Sequence, residues 1–340
     1  MLSNSQLAEL LSREGDRAEG IRRRAFRRAA RSAFLWPEDA ASLLQQDRSL
    51  EELHSVGPFI GKQLREWIED PPRGLEDVPA IRCDFLATAD ARRLLEATPD
   101  WRAKLRGDLQ MHTDWSDGSG TVAEMAAAAT ERKYEYIAVT DHTKALSIAG
   151  GIDEAQLAQQ SEEIGNVNRD GGATVLRSAE LNLTMRGEAD IDAKTLRKLD
   201  IVLGSFHSAL RKKDDQTDRY LAAVRNPHLH ILGHPRGRIY NYRIGLTAEW
   251  SRVFAEAAKL DKALEIDCYP DRQDLNVELL KIARHAGNRI SLGTDAHHPW
   301  QLEFIELGLA AALTAKIPAD RIINFMSLEK LKAWDASLRG

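Results

Sequence analysis

The spacing of apolar side chains predicts helices in the first 70 residues. Leu7, Leu10 and Leu11 follow the i, i+3, i+4 rule of a helix face, after a serine pair near residue 4 that can cap the first turn. Further helices are predicted over 21–36 and 36–46, and a helix, a glycine-bearing hairpin and a second helix over 49–70. Pro71 and Pro72 interrupt this pattern and predict a domain boundary.

From residue 107 onward the pattern changes to short apolar strands that alternate with amphipathic helices. Seven strands are predicted, at 107–112, 135–140, 173–180, 199–206, 229–233, 263–267 and 289–294. This alternation is typical of a parallel α/β domain. The chain therefore divides into a helical domain at 1–70, a linker with one helix at 71–106, and an α/β domain at 107–340.

Composition narrows the class of protein. With 43% hydrophobic and 29% charged residues the chain can bury a sizeable core, and a net charge of -5 excludes a globally basic nucleic-acid binder. Two cysteines, Cys83 and Cys268, cannot form a disulfide framework, which favours a reducing compartment. No run approaches the roughly 20 apolar residues of a membrane span, and the N-terminus does not resemble a signal peptide. We expect a cytoplasmic protein without a membrane partner.

Polar side chains follow six of the seven predicted strands. The residues at these strand ends and in the loops after them are Asp108, Gln110, His112, Asp117, Asp141, His142, Glu180, His207, His234, Asp295 and His297. In a parallel barrel the carboxyl ends of the strands meet at one rim. Imidazole and carboxylate groups are the usual ligands of divalent cations, so the sequence predicts a metal site with several ions at this rim.

The strand-end motifs, in order DLQMH, SDG, TDH, E, GSFH, GHP and TDAH, resemble the PHP (polymerase and histidinol phosphatase) superfamily over residues 107–340. The resemblance implies a distorted (β/α)7 barrel that binds three divalent ions, usually zinc, manganese or iron, and we expect two to three here. By position, the first ion would use Gln110, His112, Glu180 and Asp295, the second Glu180, His207 and His234, and the third Asp117, His142 and His297.

The first of these ion sites departs from the family pattern. Its first ligand is commonly histidine in the family, whereas this chain has Gln110, whose neutral amide oxygen is a weaker ligand than imidazole. The resemblance also implies catalytic roles: Glu180 would join two ions, and His207 or His297 would assist proton transfer. Phosphate contacts are predicted for Arg236, Arg238 and Lys144, which follow ligand histidines closely in the chain.

The N-terminal residues 3–70 resemble the small helical domain of family X DNA polymerases, and SVGPFIGKQLREWI resembles its helix-hairpin-helix element. The DNA contacts that this implies are Arg23, Arg27 and Arg28 on an arginine-rich helix and Gly57, Gly61 and Lys62 at the hairpin. The usual hairpin has a tight G-x-G, whereas three residues separate the glycines here. Only residues 69–106 lie between this element and the barrel, too few for a polymerase palm, so polymerase activity is not expected.

Three functions follow from these patterns. The first is a metal-dependent phosphoesterase that acts on DNA ends, gaps or single strands as a 3′–5′ exonuclease or 3′-phosphatase in DNA repair. The second is a small-molecule phosphatase of the histidinol-phosphatase type. The third is a non-catalytic DNA-binding protein with a structural barrel, which the exchange at Gln110 would favour. The sequence leaves the oligomeric state open.

Overall fold

The computed structural model describes residues 1–75 and 77–339, and its N-terminal part is helical. The helices of this part are α1 (Asn4–Arg17), α2 (Gly20–Ser32), α3 (Ala40–Gln45) and α4 (Pro58–Glu69). Ser3 caps α1 by accepting from the backbone N–H of Gln6, whose side chain in turn accepts from the backbone N–H of Ser3. Before α4 the structure has a three-residue 3-10 turn, Leu50–Glu52, where the sequence predicts a full helix.

The second part is built on parallel strands. Within the described residues these are β1 (Gly107–Asp108), β2 (Tyr136–Val139), β3 (Thr174–Arg177), β4 (Glu180–Asn182), β5 (Leu203–Ser205), β6 (Ile231–Leu232), β7 (Ala263–Asp267) and β8 (Arg289–Gly293). They form one sheet in the order β1-β2-β3 and a second in the order β4-β5-β6-β7-β8. A parallel bridge between Met111 and Ala296 joins β1 to β8, and another between His142 and Glu180 joins β2 to β4. The two sheets therefore close into one distorted barrel.

The structure differs from the sequence prediction at the third strand, which was expected to run unbroken over 173–180. The structure divides that segment into β3, which pairs with β2, and β4, which pairs with β5. At the break, the carbonyl of Arg177 accepts from the backbone of Asp200 and Ile201, so the chain changes sheets. The break brings Glu180 to the start of β4 with its carboxylate at the barrel rim.

Helices surround the barrel and cover the end at which its strands begin. They are α7 (Val122–Glu131), α8 (Glu154–Asp170), α9 (Ala193–Leu196), α10 (Thr217–Arg225), α11 (Trp250–Lys259), α12 (Val277–Ala286), α13 (Ile305–Thr314) and α14 (Leu328–Arg339). Leu331 and Trp334 of α14 pack against Tyr136, Ile231 and Ala263, which begin their strands. This helix therefore covers the amino ends of the strands and leaves the rim at their carboxyl ends open for a site.

The segment between the two parts is packed against the barrel. Its helices are α5 (Thr88–Glu96) and α6 (Pro99–Arg102). Ala91 of α5 is buried against Leu307 and Ala310 of α13, and the Arg92 guanidinium lies 2.8 Å from the Glu306 carboxylate. The predicted linker is thus part of the folded body of the protein.

A barrel residue completes the core of the N-terminal part. Tyr240, in the loop after β6, is buried among Phe34 and Phe85, with ring centroids 4.8 and 5.2 Å away. Its hydroxyl lies 2.8 Å from the Ser12 hydroxyl. Burying an aromatic side chain contributes about 1.5–3 kcal/mol, so this contact stabilises the docking of the helical part on the barrel. No helix among residues 1–75 and 77–339 is long and apolar enough to cross a membrane.

Candidate metal centre

Two buried aspartates hold the loops that carry the predicted ligands. Asp108 in β1 accepts from the backbone N–H of Thr294 at 3.1 Å and from its hydroxyl at 2.5 Å, which ties the ends of β1 and β8 together. Asp141 accepts from the backbone and hydroxyl of Thr113 at 2.8 and 2.6 Å, and from the Gln160 amide at 2.6 Å. These bonds fix the turn after His112, in which the predicted ligand Asp117 lies. Both aspartates therefore fix the backbone of the loops that carry the predicted ligands.

Glu180 lies at the middle of the cluster and is fully buried. Its Oε1 is 2.7 Å from Nε2 of His234 and 3.2 Å from Nε2 of His207. Its Oε2 is 3.1 Å from Nδ1 of His142 and 3.5 Å from Nε2 of His112. One carboxylate therefore faces four imidazole rings from four different loops.

A second group of side chains opens toward solvent. Nε2 of His297 and Nδ1 of His112 lie 3.4 and 3.9 Å from Oδ1 of Asp117, and Nε2 of His142 lies 3.7 Å from its Oδ2. The rings of His112 and His142 are stacked with centroids 4.3 Å apart. These four residues can offer ligand atoms that all lie within 4.8 Å of one another, as a metal site requires.

Two further groups of the described residues meet the same distance limit. One contains His142, Glu180 and His207, and the other contains His112, Glu180 and Asp295. In the group that contains Asp295, Nε2 of His112 is 2.9 Å from Oδ1 of Asp295. The assignment by sequence position gave His112 and His142 one ion each, whereas in the structure each of them belongs to two groups. Glu180 belongs to both of the groups that lack Asp117.

Buried atoms without hydrogen-bond partners test whether this cluster suits cations. Among the described side chains, such atoms include Nδ1 of His112, His142 and His234, Nε2 of His207, Oε2 of Glu180 and Oδ2 of Asp295. A buried polar atom that lacks a partner costs about 1–3 kcal/mol. Because these are imidazole nitrogens and carboxylate oxygens, bound divalent cations would satisfy them. The donor set therefore fits metal ions.

Hydrogen bonds fix which nitrogen two of the histidines present. Nδ1 of His207 lies 3.1 Å from Oδ1 of Asn182, and Nδ1 of His297 lies 2.7 Å from the carbonyl oxygen of Asp295. Since both partners are acceptors, Nδ1 is the donor in each ring, and Nε2 is the nitrogen left to face the cluster. In both cases Nε2 faces a carboxylate of the cluster, which is the orientation that a metal ligand needs.

The charged groups of the cluster shift one another's pKa values strongly. Burial raises the pKa of Glu180, but the surrounding imidazoles of His142, His207 and His234 outweigh burial and hold it well below its usual value. Burial, together with the neighbouring His112, lowers the pKa of His142 to about 3, so its ring is neutral. Burial also opposes the charged form of His297, but Asp117 and Asp295 outweigh it and raise its pKa to about 9.

Gln110 is fully buried and faces an acidic side chain that sequence reasoning missed. With its amide nitrogen turned toward this acid, Gln110 donates to the two carboxylate oxygens of Glu265 at 2.5 and 3.1 Å. Burial, and then the neighbouring Asp267, raises the pKa of Glu265 well above its usual value. Both acids lie on β7, the one predicted strand to which no site residue was assigned. In the sequence, the sign of a site on this strand was the presence of two acids inside the otherwise apolar run ALEID.

The arginine that reaches the cluster is Arg272, which was not predicted. One of its guanidinium nitrogens lies 3.4 Å from Oδ2 of Asp295, and its side chain is 31% exposed. By contrast, the Arg238 guanidinium lies 3.7 Å from the centre of the Phe85 ring and donates to the Cys83 carbonyl, at the junction with the N-terminal part. These contacts fix Arg238 in a packing position rather than at the cluster.

The other two predicted phosphate contacts also have protein partners. Arg236 donates from its guanidinium to the Ile244 carbonyl at 2.9 Å. Lys144 lies 2.6 Å from the Glu154 carboxylate and is partly exposed. Neither bond joins its side chain to the metal cluster, so their phosphate-binding roles stay predictions.

The predicted DNA contacts lie on the surface of the N-terminal part. Arg23, Arg27 and Arg28 of α2 are exposed, and Arg27 lies 3.5 Å from Asp16. Gly57 precedes the first turn of α4, and a Cβ there would meet nothing within 4 Å. Gly61 is buried, with room for a Cβ in ordinary contact, and Lys62 is exposed. Neither glycine is required by local packing, and the DNA-binding roles of these residues stay predictions.

Comparisons with known proteins agree with this geometry. The family model described as PHP domain matches residues 108–287. The DNA polymerase/3′-5′ exonuclease PolX of Bacillus subtilis is 33% identical over 233 residues, which are 68% of this chain and 41% of that protein. A probable phosphatase of Photobacterium profundum is 32% identical over 201 residues, 56% of this chain and 77% of that protein. The chain thus spans less than half the length of the first of these relatives.

One solved structure that is similar to part of this chain is a phosphatase. The histidinol phosphate phosphatase of Lactococcus lactis, solved with zinc, L-histidinol and phosphate, has 16% sequence identity and a TM-score of 0.44. The match covers 62% of this chain and 93% of that chain.

Proposed function

The chain belongs to the PHP domain family and is a metal-dependent phosphoesterase; on this premise we propose that it hydrolyses phosphoester bonds at the ends of nucleic-acid strands. The reaction would be that of a 3′–5′ exonuclease or a 3′-phosphatase, with a role in DNA repair. The proposed cofactors are two or three divalent ions of manganese, zinc or iron.

One observation carries the choice of nucleic acid as the substrate. A cavity of about 320 Å³ is lined on one side by Arg27 and Arg31 of α2 and on the other by Asp271 of the barrel. The next residue, Arg272, is the arginine that reaches Asp295 of the metal cluster. The cavity lined by α2 therefore borders the residue next to the arginine of the centre. A strand whose phosphates contact α2 would have its end close to the cluster.

Glu180 would organise the centre as an anionic ligand shared between two of the groups described above, and Asp117 would be the anionic ligand of the third. Bound divalent cations would neutralise the charge of a phosphate and lower the pKa of a water molecule. Glu180 stays ionised because the imidazoles around it hold its pKa well below the usual value. Because it is buried in the cluster, its carboxylate would keep a fixed position among the four imidazole rings during the reaction.

His297, Arg272 and His207 have separate proposed roles. Their side chains are 27%, 31% and 14% exposed, so His297 and Arg272 lie nearest the opening and His207 lies deeper. The planar guanidinium of Arg272 suits two phosphate oxygens, and it would hold the scissile phosphate against the cluster. His297 and His207 present Nε2 and can take up or release a proton at that atom when it holds no ion.

A small-molecule phosphatase is the second candidate. The probable phosphatase of Photobacterium profundum aligns over 77% of its own length, so the likeness extends over most of that protein. In this case the N-terminal helices would serve only to pack on the barrel, and Arg272 would bind a small phosphate monoester in the same position.

One experiment separates the two candidates. Purified protein with Mn²⁺ is offered a 3′-phosphorylated strand, an unmodified single strand and histidinol phosphate at equal concentrations, with Glu180→Gln as the inactive reference. Release of terminal nucleotides or of 3′-phosphate, with histidinol phosphate turned over at least ten-fold more slowly, supports the proposal. Turnover of histidinol phosphate alone contradicts it.

A further inference from the structure

A tight turn in the loop after β6 presents an exposed aromatic side chain. Backbone hydrogen bonds in both directions join Ile239 and Arg243, and Asn241 has the left-handed conformation at φ 52°. The turn carries Tyr242 outward, with 59% of its surface exposed. It lies in the loop that follows the predicted ligand His234, so it is part of the open rim.

The turn is anchored on both sides of this tyrosine. The backbone N–H of Tyr240 donates to the Asp271 carbonyl at 2.7 Å, and that of Asn241 donates to the Ile81 carbonyl at 3.1 Å. The side-chain oxygen of Asn241 accepts from Arg82 at 3.2 Å. Because its neighbours are held by the barrel and by the segment before it, Tyr242 offers a ring whose backbone position is fixed.

Cationic side chains lie on both sides of the ring. The cavity of about 320 Å³ on one side is lined by Arg27 and Arg31 as well as by Tyr242. A second cavity, of about 380 Å³, lies on the other side and is lined by Tyr242 and a cationic set consisting of Arg211, Lys212, Lys213 and Arg243. The Arg211 guanidinium lies 4.6 Å from the centre of the Tyr242 ring.

Each cavity is lined by residues that are close in sequence to a residue at the metal cluster. Asp271 in the first cavity precedes Arg272, whose guanidinium lies 3.4 Å from Asp295. The cationic segment 211–213 in the second cavity follows the predicted ligand His207. Acidic groups partly offset the charge, since Lys212 lies 3.7 Å from Asp214. The cations nevertheless outnumber the acids in both linings.

We infer that Tyr242, flanked by Arg27, Arg31, Arg211, Lys212 and Lys213, is a binding surface for single-stranded nucleic acid. This surface, called here the Tyr242 surface, rests on the proposed function and gives it a binding mode. One unpaired base would stack on the Tyr242 ring, and the phosphates on its two sides would lie in the two cavities. A fixed aromatic ring between two sets of cations suits a single strand, whose bases are free to stack.

Binding of a labelled oligothymidylate by the full-length protein, measured by fluorescence anisotropy, tests the surface. A phosphorothioate at the 3′ end slows cleavage during the measurement. Tyr242→Ala is expected to raise the Kd about ten-fold, while Tyr242→Phe, which keeps a ring, stays within about two-fold of wild type. The double variant Arg27→Ala/Arg31→Ala is expected to lower the slope of log Kd against log salt by about 1.4, which is two phosphate contacts at about 0.7 each.

The control removes two positive charges at the other end of the barrel. Lys330→Ala/Lys332→Ala changes exposed residues of α14, which covers the amino ends of the strands, and should bind as wild type does. Equal affinity of Tyr242→Ala and wild type, or equal losses in the control and in the Arg27/Arg31 variant, would overturn the inference. So would tighter binding of a blunt duplex than of the single strand.

Hydrolysis separates a failure of this inference from a failure of the proposed function. The ratio of kcat/KM for the unmodified oligonucleotide to that for bis(p-nitrophenyl) phosphate should fall about ten-fold in Tyr242→Ala. An unchanged ratio overturns the Tyr242 surface while strand hydrolysis stands. Wild-type protein that binds the strand through Tyr242 but does not hydrolyse it leaves the surface supported and contradicts the proposed function.

Discussion

Replacing Glu180 by glutamine is the sharpest perturbation of the centre. The change keeps the shape of the side chain and removes one negative charge from a fully buried position. Both carboxylate oxygens face imidazole nitrogens, of His234 at 2.7 Å and of His142 at 3.1 Å on opposite sides. Because Glu180 belongs to two of the three ligand groups, the substitution should weaken two ion sites together.

The expected change in Tm follows from the linkage between ion binding and folding. An ion present at one hundred times its Kd stabilises the folded state by about 2.7 kcal/mol. Unfolding entropy is about 2.1 cal/mol/K per residue, or roughly 0.5 kcal/mol/K for a barrel of this length. One bound ion should therefore raise the Tm by about 5–6 °C and two ions by about 11 °C.

The assay is a thermal melt of chelator-treated protein with and without added Mn²⁺, together with metal analysis. Wild type and the surface control Glu329→Gln should gain this shift and bind ions, whereas Glu180→Gln should gain at most the shift of one ion. If Glu180→Gln shows the wild-type Tm gain and the wild-type metal content, the carboxylate does not hold the ions, and the reasoning is refuted.

Three further predictions concern other parts of the chain. Gln110→His should raise the metal content by up to one ion per chain in elemental analysis, because it places an imidazole where the structure has an amide bonded to Glu265; an unchanged content would count against a first ion site there. Burial lowers the pKa of Lys262 from its ordinary value of 10.5 to about 8, so the folded state gains stability as pH rises from about 8 to 10.5. In urea titrations Lys262→Met should be more stable than wild type by up to about 3 kcal/mol at pH 7, with the difference shrinking by pH 10; a difference independent of pH would contradict this. Tyr240→Ala should cost about 3 kcal/mol or more and expose the segment after α4 to protease, while Tyr240→Phe, which loses the bond to Ser12, should cost about 1 kcal/mol; equal melts for the two variants would show that the ring does not hold the parts together.

The strand-end residues illustrate how far the sequence alone reaches. The fold and the meeting of His112, His142, Glu180 and His207 at one rim follow from the period of the strands and the geometry of parallel barrels. The division of the third strand into β3 and β4 does not follow, because residues 173–180 contain no glycine or proline to mark a break. That break depends on the backbone of the neighbouring segment at Asp200, which local sequence does not encode.

The arginines show a different limit. Arg238 follows a ligand histidine and was predicted to bind phosphate, but the Phe85 ring, from a distant segment, holds its guanidinium at 3.7 Å. Arg272 reaches the centre instead, from a loop whose direction is set by pairing with Tyr240. Both outcomes depend on tertiary packing between the N-terminal part and the barrel. Residues on loops are therefore harder to assign from sequence than those at strand ends.

The first helix of the predicted hairpin is a third case. Residues 49–53 have helical composition, yet the structure has a single 3-10 turn there. Ser55, just beyond it, adopts the left-handed conformation at φ 64°, which a continuing helix does not allow. Helix propensity is a weak guide over so few residues, because nucleation costs more than a short segment returns.

Metal dependence of strand hydrolysis tests the central claim most directly. Protein freed of ions by a chelator, and shown by elemental analysis to be free of them, is titrated with Mn²⁺ while release of 3′-terminal product from a labelled single strand is followed. The account predicts negligible activity without ions, recovery in step with bound metal in wild type, and little recovery in Glu180→Gln. Full activity in the ion-free protein would contradict it.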